Sequence, residues 1–392
     1  MSAVVFAAMV FAADPAADLR PLLAVGREGA GQAEAAAAWK RLVAAGPAAL
    51  VPALKAFDGA GPAAANWLRS AVTAVADAEK SAGRELPADT LTAFVTDTAN
   101  HPTARSLAFD LLAAQDRPAA DKLLPGFLDD ASGELRRAAV AAELATVDAT
   151  SRTPAVVSRL TALFGKARDK DQVEEIAKRL EAAGGAKPDL TRHFGYLTEW
   201  SIVGPLDGPQ ASGFGRKYGP DAGFDPAAKF PGKAGEVGWK PTQSVDPYGA
   251  IDLTVEIGKQ KDCVAYAAAV LVVDAEMPCE IRLNSPNALR VTLNGAELLA
   301  HEEYHHGADH DQYVARGGVL NPGENLLLVK VCQNDQKEPW AQAWQFAARV
   351  CDRTGGRLPL KQVVVKDGSR QTVEPGAVRP KPPEPAKPEG KK

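Results

Sequence analysis

Leu289-Arg290-Val291-Thr292-Leu293-Asn294-Gly295 alternates apolar and polar residues and ends on Asn-Gly. Alternation marks a strand with one buried face, and Asn-Gly is the strongest short hairpin signal in the chain. Residues 325–332 read as a second strand, reached through the Asn321-Pro322-Gly323 turn. Residues 264–273 are largely apolar, which predicts a strand covered on both faces and therefore central. Residues 344–350 form a last strand. Short strands separated by turns predict an antiparallel β-sandwich.

Before about residue 185 the period is helical. Val156, Val157, Leu160, Leu163 and Phe164 share one face, as do Val173, Ile176, Ala177 and Leu180. Asp171 with Glu174 resembles a capping box, and Gly184-Gly185 a stop. About eight short helices are expected there, so the fold class is multidomain, α then β. The helices also look repetitive. Leu50-Val51-Pro52-Ala53-Leu54 followed by Trp67-Leu68-Arg69 is echoed by Leu123-Leu124-Pro125 followed by Leu135-Arg136-Arg137. A weaker copy ends at Ala104-Arg105-Ser106-Leu107. Arg69, Arg105 and Arg136-Arg137 fall 36 and then 31 or 32 residues apart. Helical-pair repeats have periods in this range.

Asp129-Asp130 followed by Leu135-Arg136-Arg137-Ala138-Ala139 resembles a HEAT repeat, a resemblance that extends loosely over residues 15–183. It implies a curved stack of helix pairs that binds other macromolecules; an irregular Ala-rich bundle is the alternative. In the second half, Trp200-Ser201-Ile202-Val203-Gly204-Pro205-Leu206 resembles the opening of galactose-binding-like jelly rolls. Val291-Thr292-Leu293-Asn294-Gly295, Gly323-Glu324-Asn325-Leu326-Leu327-Leu328-Val329-Lys330-Val331 and Phe346-Ala347-Ala348-Arg349-Val350 follow in that family's order. The resemblance spans residues 196–355 and implies a fold without naming a ligand.

The chain has 392 residues, 49 acidic and 45 basic side chains and a net charge of −4. That balance makes no electrostatic case for nucleic acid, and no apolar run approaches the ~18 residues of a membrane span. The expected division is a signal peptide at 1–13, HEAT-like helices at 14–183, a linker at 184–195, a galactose-binding-like sandwich at 196–357 and a Pro/Lys-rich disordered tail at 358–392. The signal-peptide reading rests on the short apolar run at 3–13, with small residues before Asp14-Pro15. No Lys or Arg precedes Arg20, so a first helix is the other reading.

Cys263, Cys279, Cys332 and Cys351 include no C-x-x-C pair. They read either as two disulfides of an exported domain or as buried thiols. Lys330 and Cys332 share a face by period two, as do Arg349 and Cys351, and Cys332–Cys351 is the first pairing to expect if the strands are neighbours.

His301, His305, His306 and His310 fall within ten residues, among Glu302, Glu303, Asp309 and Asp311. His301-Glu302-Glu303-Tyr304-His305 has the H-E-x-x-H form of zinc metallopeptidases. That chemistry needs a helix to project both histidines to one metal, with Glu302 activating its water. The Asn294-Gly295 turn instead predicts a returning strand through Glu297-Leu298-Leu299. On a loop, His301, His305 and His310, with Asp309, become the candidate ligands of Zn²⁺, Ni²⁺ or Cu²⁺, although no cofactor is required; the alternative is a solvated acidic-histidine loop. Trp340, which follows Glu338-Pro339, is the candidate ligand-binding aromatic. The functional expectation is a non-catalytic binding or scaffold protein, secreted or in the periplasm or cell envelope. Its partners would be another protein, a glycan or both, with no nucleic acid and no membrane insertion. The alternative is a zinc-dependent metallopeptidase using His301, Glu302 and His305.

Overall fold

The structure, a computed structural model, describes residues 15–380 except Ala149 and residues 367–368. The run at 1–13 read as a signal peptide lies outside the described residues, as does the tail beyond residue 380. The Ala-rich half forms α1 (Pro15–Leu23), α2 (Gln32–Ala44), α3 (Leu50–Lys55), α4 (Pro62–Ser81), α5 (Ala88–Thr96), α6 (Pro102–Gln115), α7 (Arg117–Asp121), α8 (Gly133–Ala145), α9 (Pro154–Lys166) and α10 (Lys170–Ala182). These exceed the expected eight because α3 and α7 are extra helices of 6 and 5 residues. Proline opens α4, α6 and α9, where its missing N–H would have had no intrahelical partner. The Ser132 and Thr153 side chains cap α8 and α9, each worth about 1 kcal/mol. Asp169, not Asp171, stands at the start of α10. Both Asp171 oxygens are instead held by Arg137, at 2.7 and 2.5 Å.

Leu42, Leu54, Leu68, Leu91 and Val95 build the core of this helical unit. Arg105 of α6 is buried with them. Its guanidinium forks onto Asp130 at 2.8 and 2.7 Å, and Nε donates to the Val95 carbonyl at 2.7 Å. Arg137 of α8 then takes Asp171 in the same way, so two arginines in succession each hold an aspartate further down the chain.

The second unit begins at Ala186. Its elements are α11 (Leu190–Phe194), β1 (Glu199–Asp207), β2 (Lys229–Gly232), β3 (Gly235–Gly238), β4 (Lys240–Gln243), β5 (Ile251–Asp252), α12 (Leu253–Glu256), β6 (Cys263–Val273), β7 (Met277–Asn284), β8 (Ala288–Leu293), β9 (Ala296–His301), β10 (Tyr313–Leu320), β11 (Gly323–Gln333), β12 (Gln345–Cys351), β13 (Lys361–Lys366) and β14 (Ser369–Val373). The larger sheet runs β14-β13-β6-β11-β8-β9, with β1 joining β6 and β4. The smaller runs β10-β7-β12-β5. All pairings in both sheets are antiparallel, and the unit is a β-sandwich, as the alternation predicts.

Ala265, Ala267, Ala269 and Leu271 of β6 and Leu327, Val329 and Val331 of β11 face the smaller sheet, where Trp344, Phe346 and Ile281 meet them. The opposite face carries Val264, Tyr266, Leu328 and Cys332, covered by Phe214, Tyr218, Phe230 and Trp239 from the Gly/Pro-rich residues 208–239. This cover explains why β6 is apolar at both parities. Asn294 and Gly295 form the β8–β9 turn with φ of 52° and 80°. Asn294 Nδ2 donates to Asn325 Oδ1 at 2.8 Å, and Asn325 Nδ2 donates to the Asn321 carbonyl at 2.8 Å. The two turns singled out by the sequence are therefore bolted together.

Three expectations need correction. The disordered tail does not begin at 358, because Val363 and its neighbours pair with β6 and Leu360 enters the core. The linker does not extend to 195: α11 belongs to the sandwich unit, with Phe194 buried and Thr191 Oγ1 donating to the Pro247 carbonyl at 2.6 Å. Cys332 and Cys351 do share faces with Lys330 and Arg349, but their strands lie in different sheets, so no bridge joins them. All four cysteines are buried free thiols. Among the described residues no helix is long and apolar enough to cross a membrane.

Candidate functional site

The histidine-rich segment is a strand end and a loop. His301 closes β9, Tyr313 opens β10, and residues 302–312 connect them. The helix that an H-E-x-x-H site needs is not formed, so His301 and His305 do not project from one helical face.

The loop is pinned at two places. Its first anchor is His305, whose φ of 61° turns the backbone. The His305 N–H donates to the Pro286 carbonyl at 2.5 Å, and Nε2 lies 2.6 Å from Asn334 Oδ1. The second anchor is His310 with Asp311. His310 Nδ1 is 2.7 Å from the Tyr196 hydroxyl, and its ring packs 4.8 Å from Phe194. Asp311 receives Arg349 and Arg282.

This pinning breaks up the expected ligand set. His301, His305 and His310 do not assemble, because the latter two are engaged elsewhere. Among the described residues, the metal-capable atoms that converge belong to His301, Glu303 and His306, all within 4.8 Å of one another. Two of these, Glu303 and His306, lie outside the expected set, because on a loop no spacing in the sequence selects them. Glu302 is exposed. Trp340 is 61% exposed and meets the His305 ring edge-on at 5.5 Å, whereas Trp200 and Trp344 are core residues.

A second site lies on the covered face of the larger sheet. Phe214, Arg216, Lys217, Tyr266, Arg290 and Lys330 line a cleft of about 260 Å³. Lys330 is buried, and burial lowers its pKa from the usual lysine value. Its Nζ donates to the Phe214 and Arg216 carbonyls at 3.1 and 2.6 Å. Arg290 donates to Glu297 at 2.6 Å and stacks 4.4 Å over the Phe214 ring. Tyr266 donates to Asp221 at 2.8 Å. Arg290 and Lys330 occupy the polar parity of their strands, which alternation alone assigns to solvent. The scattered aromatics of residues 208–239 were the available sign that something covers them. In the helical unit, Leu86, Leu107, Leu111, Lys80 and Asp110 help line a groove of about 630 Å³.

Comparisons of the chain with family profiles, with curated proteins and with solved structures return no match.

Proposed function

We propose that the chain is a non-catalytic, exported binding or scaffold protein. Its β-sandwich is a carbohydrate- or protein-binding module of the galactose-binding-like kind, and its HEAT-like helices are a protein-binding surface. The cleft over the larger sheet carries this reading. Its acids are already engaged, Asp221 by Tyr266 and Glu297 by Arg290, while Arg216 and Lys217 add positive charge at its wall. An ammonium has three donors, of which Lys330 spends two on carbonyls. A hydroxyl-rich ligand with a carboxylate, such as an acidic sugar, meets this chemistry. The recurring Arg–Asp pairings of Arg105 and Arg137 support repetition in the helical unit.

The test is an array of neutral and acidic glycans probed with the full chain, followed by calorimetry on wild type and Arg290→Ala. Selective capture of acidic glycans, weakened at least about tenfold by Arg290→Ala, is the expected result. Capture indifferent to the substitution, or none, refutes the cleft as the binding site.

A further inference from the structure

We infer that His301, Glu303 and His306 form a binding site for a divalent metal ion of the zinc class. The argument is geometric. His301 Nε2 and His306 Nε2 lie 3.2 and 3.3 Å from the same Glu303 oxygen, Oε2. Two donors on a tetrahedral zinc with bonds of about 2.0–2.1 Å stand about 3.3 Å apart. Both histidine–carboxylate spacings therefore already match shared coordination. Closing the site requires only the two ring nitrogens to draw together across the carboxylate.

Hydrogen bonding does not account for the placement of His301, whereas His306 Nε2 lies 3.5 Å from the Tyr313 hydroxyl. His301 Nε2 is shielded from solvent yet makes no hydrogen bond, although Glu303 is at contact distance. The rings are held from behind. Tyr313 packs 4.5 Å from the His301 ring, and Gln312 Nε2 lies 3.3 Å from His306 Nδ1. His301 is fixed by β9, while the His305 anchor turns the chain so that His306 returns toward it. Two imidazoles and one carboxylate suit Zn²⁺, Ni²⁺ or Cu²⁺ better than Mg²⁺ or Ca²⁺, whose preferred donors are all oxygen. The site opens on the side of Glu303 and His306, whose side chains are 63% and 32% exposed, so water can complete the coordination from there. A metal there would tie the end of β9 to the loop before β10.

The experiment is zinc titration of the full chain by calorimetry, with Co²⁺ as a spectroscopic probe of geometry. One equivalent of zinc, a four-coordinate cobalt spectrum and no competition from excess Mg²⁺ are expected. His301→Ala, Glu303→Gln and His306→Ala should each weaken zinc at least about tenfold. Glu303 is exposed, so its variant keeps the fold, and circular dichroism checks the other two. No zinc uptake by the wild type would overturn the site. So would uptake that survives Glu303→Gln and His306→Ala.

Discussion

Arg349 donates from Nε and Nη2 to the two oxygens of Asp311, at 2.7 and 2.6 Å, with the arginine side chain 1% exposed. Its Nη1 donates to the Phe194 and Gly355 carbonyls at 3.0 and 2.9 Å, and Arg282 adds a second cation to Asp311 at 2.9 Å. Asp311→Ala would leave a buried guanidinium without its counter-ion, at a cost of about 3–5 kcal/mol. Urea unfolding of the variant measures this. A loss under about 1 kcal/mol would mean that the pair is replaceable.

The same pair sets an acid limit on stability. Burial alone would raise the Asp311 carboxyl, but the hydrogen bonds and charge of Arg349, helped by His310 and Arg282, outweigh it and hold the pKa at about 2. An unfolded aspartate titrates near 3.9. The folded value is the lower one, so the stabilisation is complete above about pH 5 and is lost as pH falls toward 2. Urea curves at pH 5.5 and pH 2.5 should differ less in Asp311→Ala than in wild type. An equal difference in both would place the acid sensitivity elsewhere.

What the sequence made legible was local. The Asn294-Gly295 turn, the β9 return strand and the doubly apolar β6 follow from side-chain alternation, which is a property of neighbours. What it hid was long-range. Arg349 and Lys330 sit at polar parity, which alternation alone assigns to solvent. Both do point out of the sandwich core, but Asp311, Phe194 and Gly355 hold the first, and residues 208–239 cover the second. The histidine site failed for the same reason. H-E-x-x-H spacing has meaning on a helix, whereas ligand convergence here depends on where Pro286 and Asn334 pin His305.

Lys330 is expected to hold the cover in place. Lys330→Met removes its hydrogen bonds to the Phe214 and Arg216 carbonyls, costing roughly 1–3 kcal/mol and releasing the cover. Hydrogen exchange should quicken across residues 212–218 more than in β11 itself. Unchanged exchange there would show that the aromatics alone secure the cover.

The thiols should be silent in the native protein. Burial pushes Cys263 and Cys332 up to about 12, and Cys279 and Cys351 to about 11. The thiolate is the reactive form, so a disulfide-exchange reagent at pH 8 should find none in the folded chain. Unfolding should release all four. Fewer than four under denaturing, non-reducing conditions would reveal a disulfide.

The hairpin of β13 and β14 should act as an edge guard. β1 pairs with β6 along residues 263–268, and β13 takes over the same edge at residues 270–272. Gln362 Nε2 joins the two guards by donating to the Glu199 carbonyl at 2.9 Å, and Leu360 fills the core below. A chain ending at Gly356 would lose this pairing and expose the apolar edge Val270-Leu271-Val272. An open apolar edge pairs with other chains. The truncated protein should therefore unfold at lower temperature and associate with rising concentration by light scattering. Replacing Leu360 by Ala in the full chain removes core packing but keeps the edge paired, so it should lower stability by about 2–5 kcal/mol without association. Association of the Leu360→Ala variant to the same degree would show that lost stability, and not the uncovered edge, drives assembly.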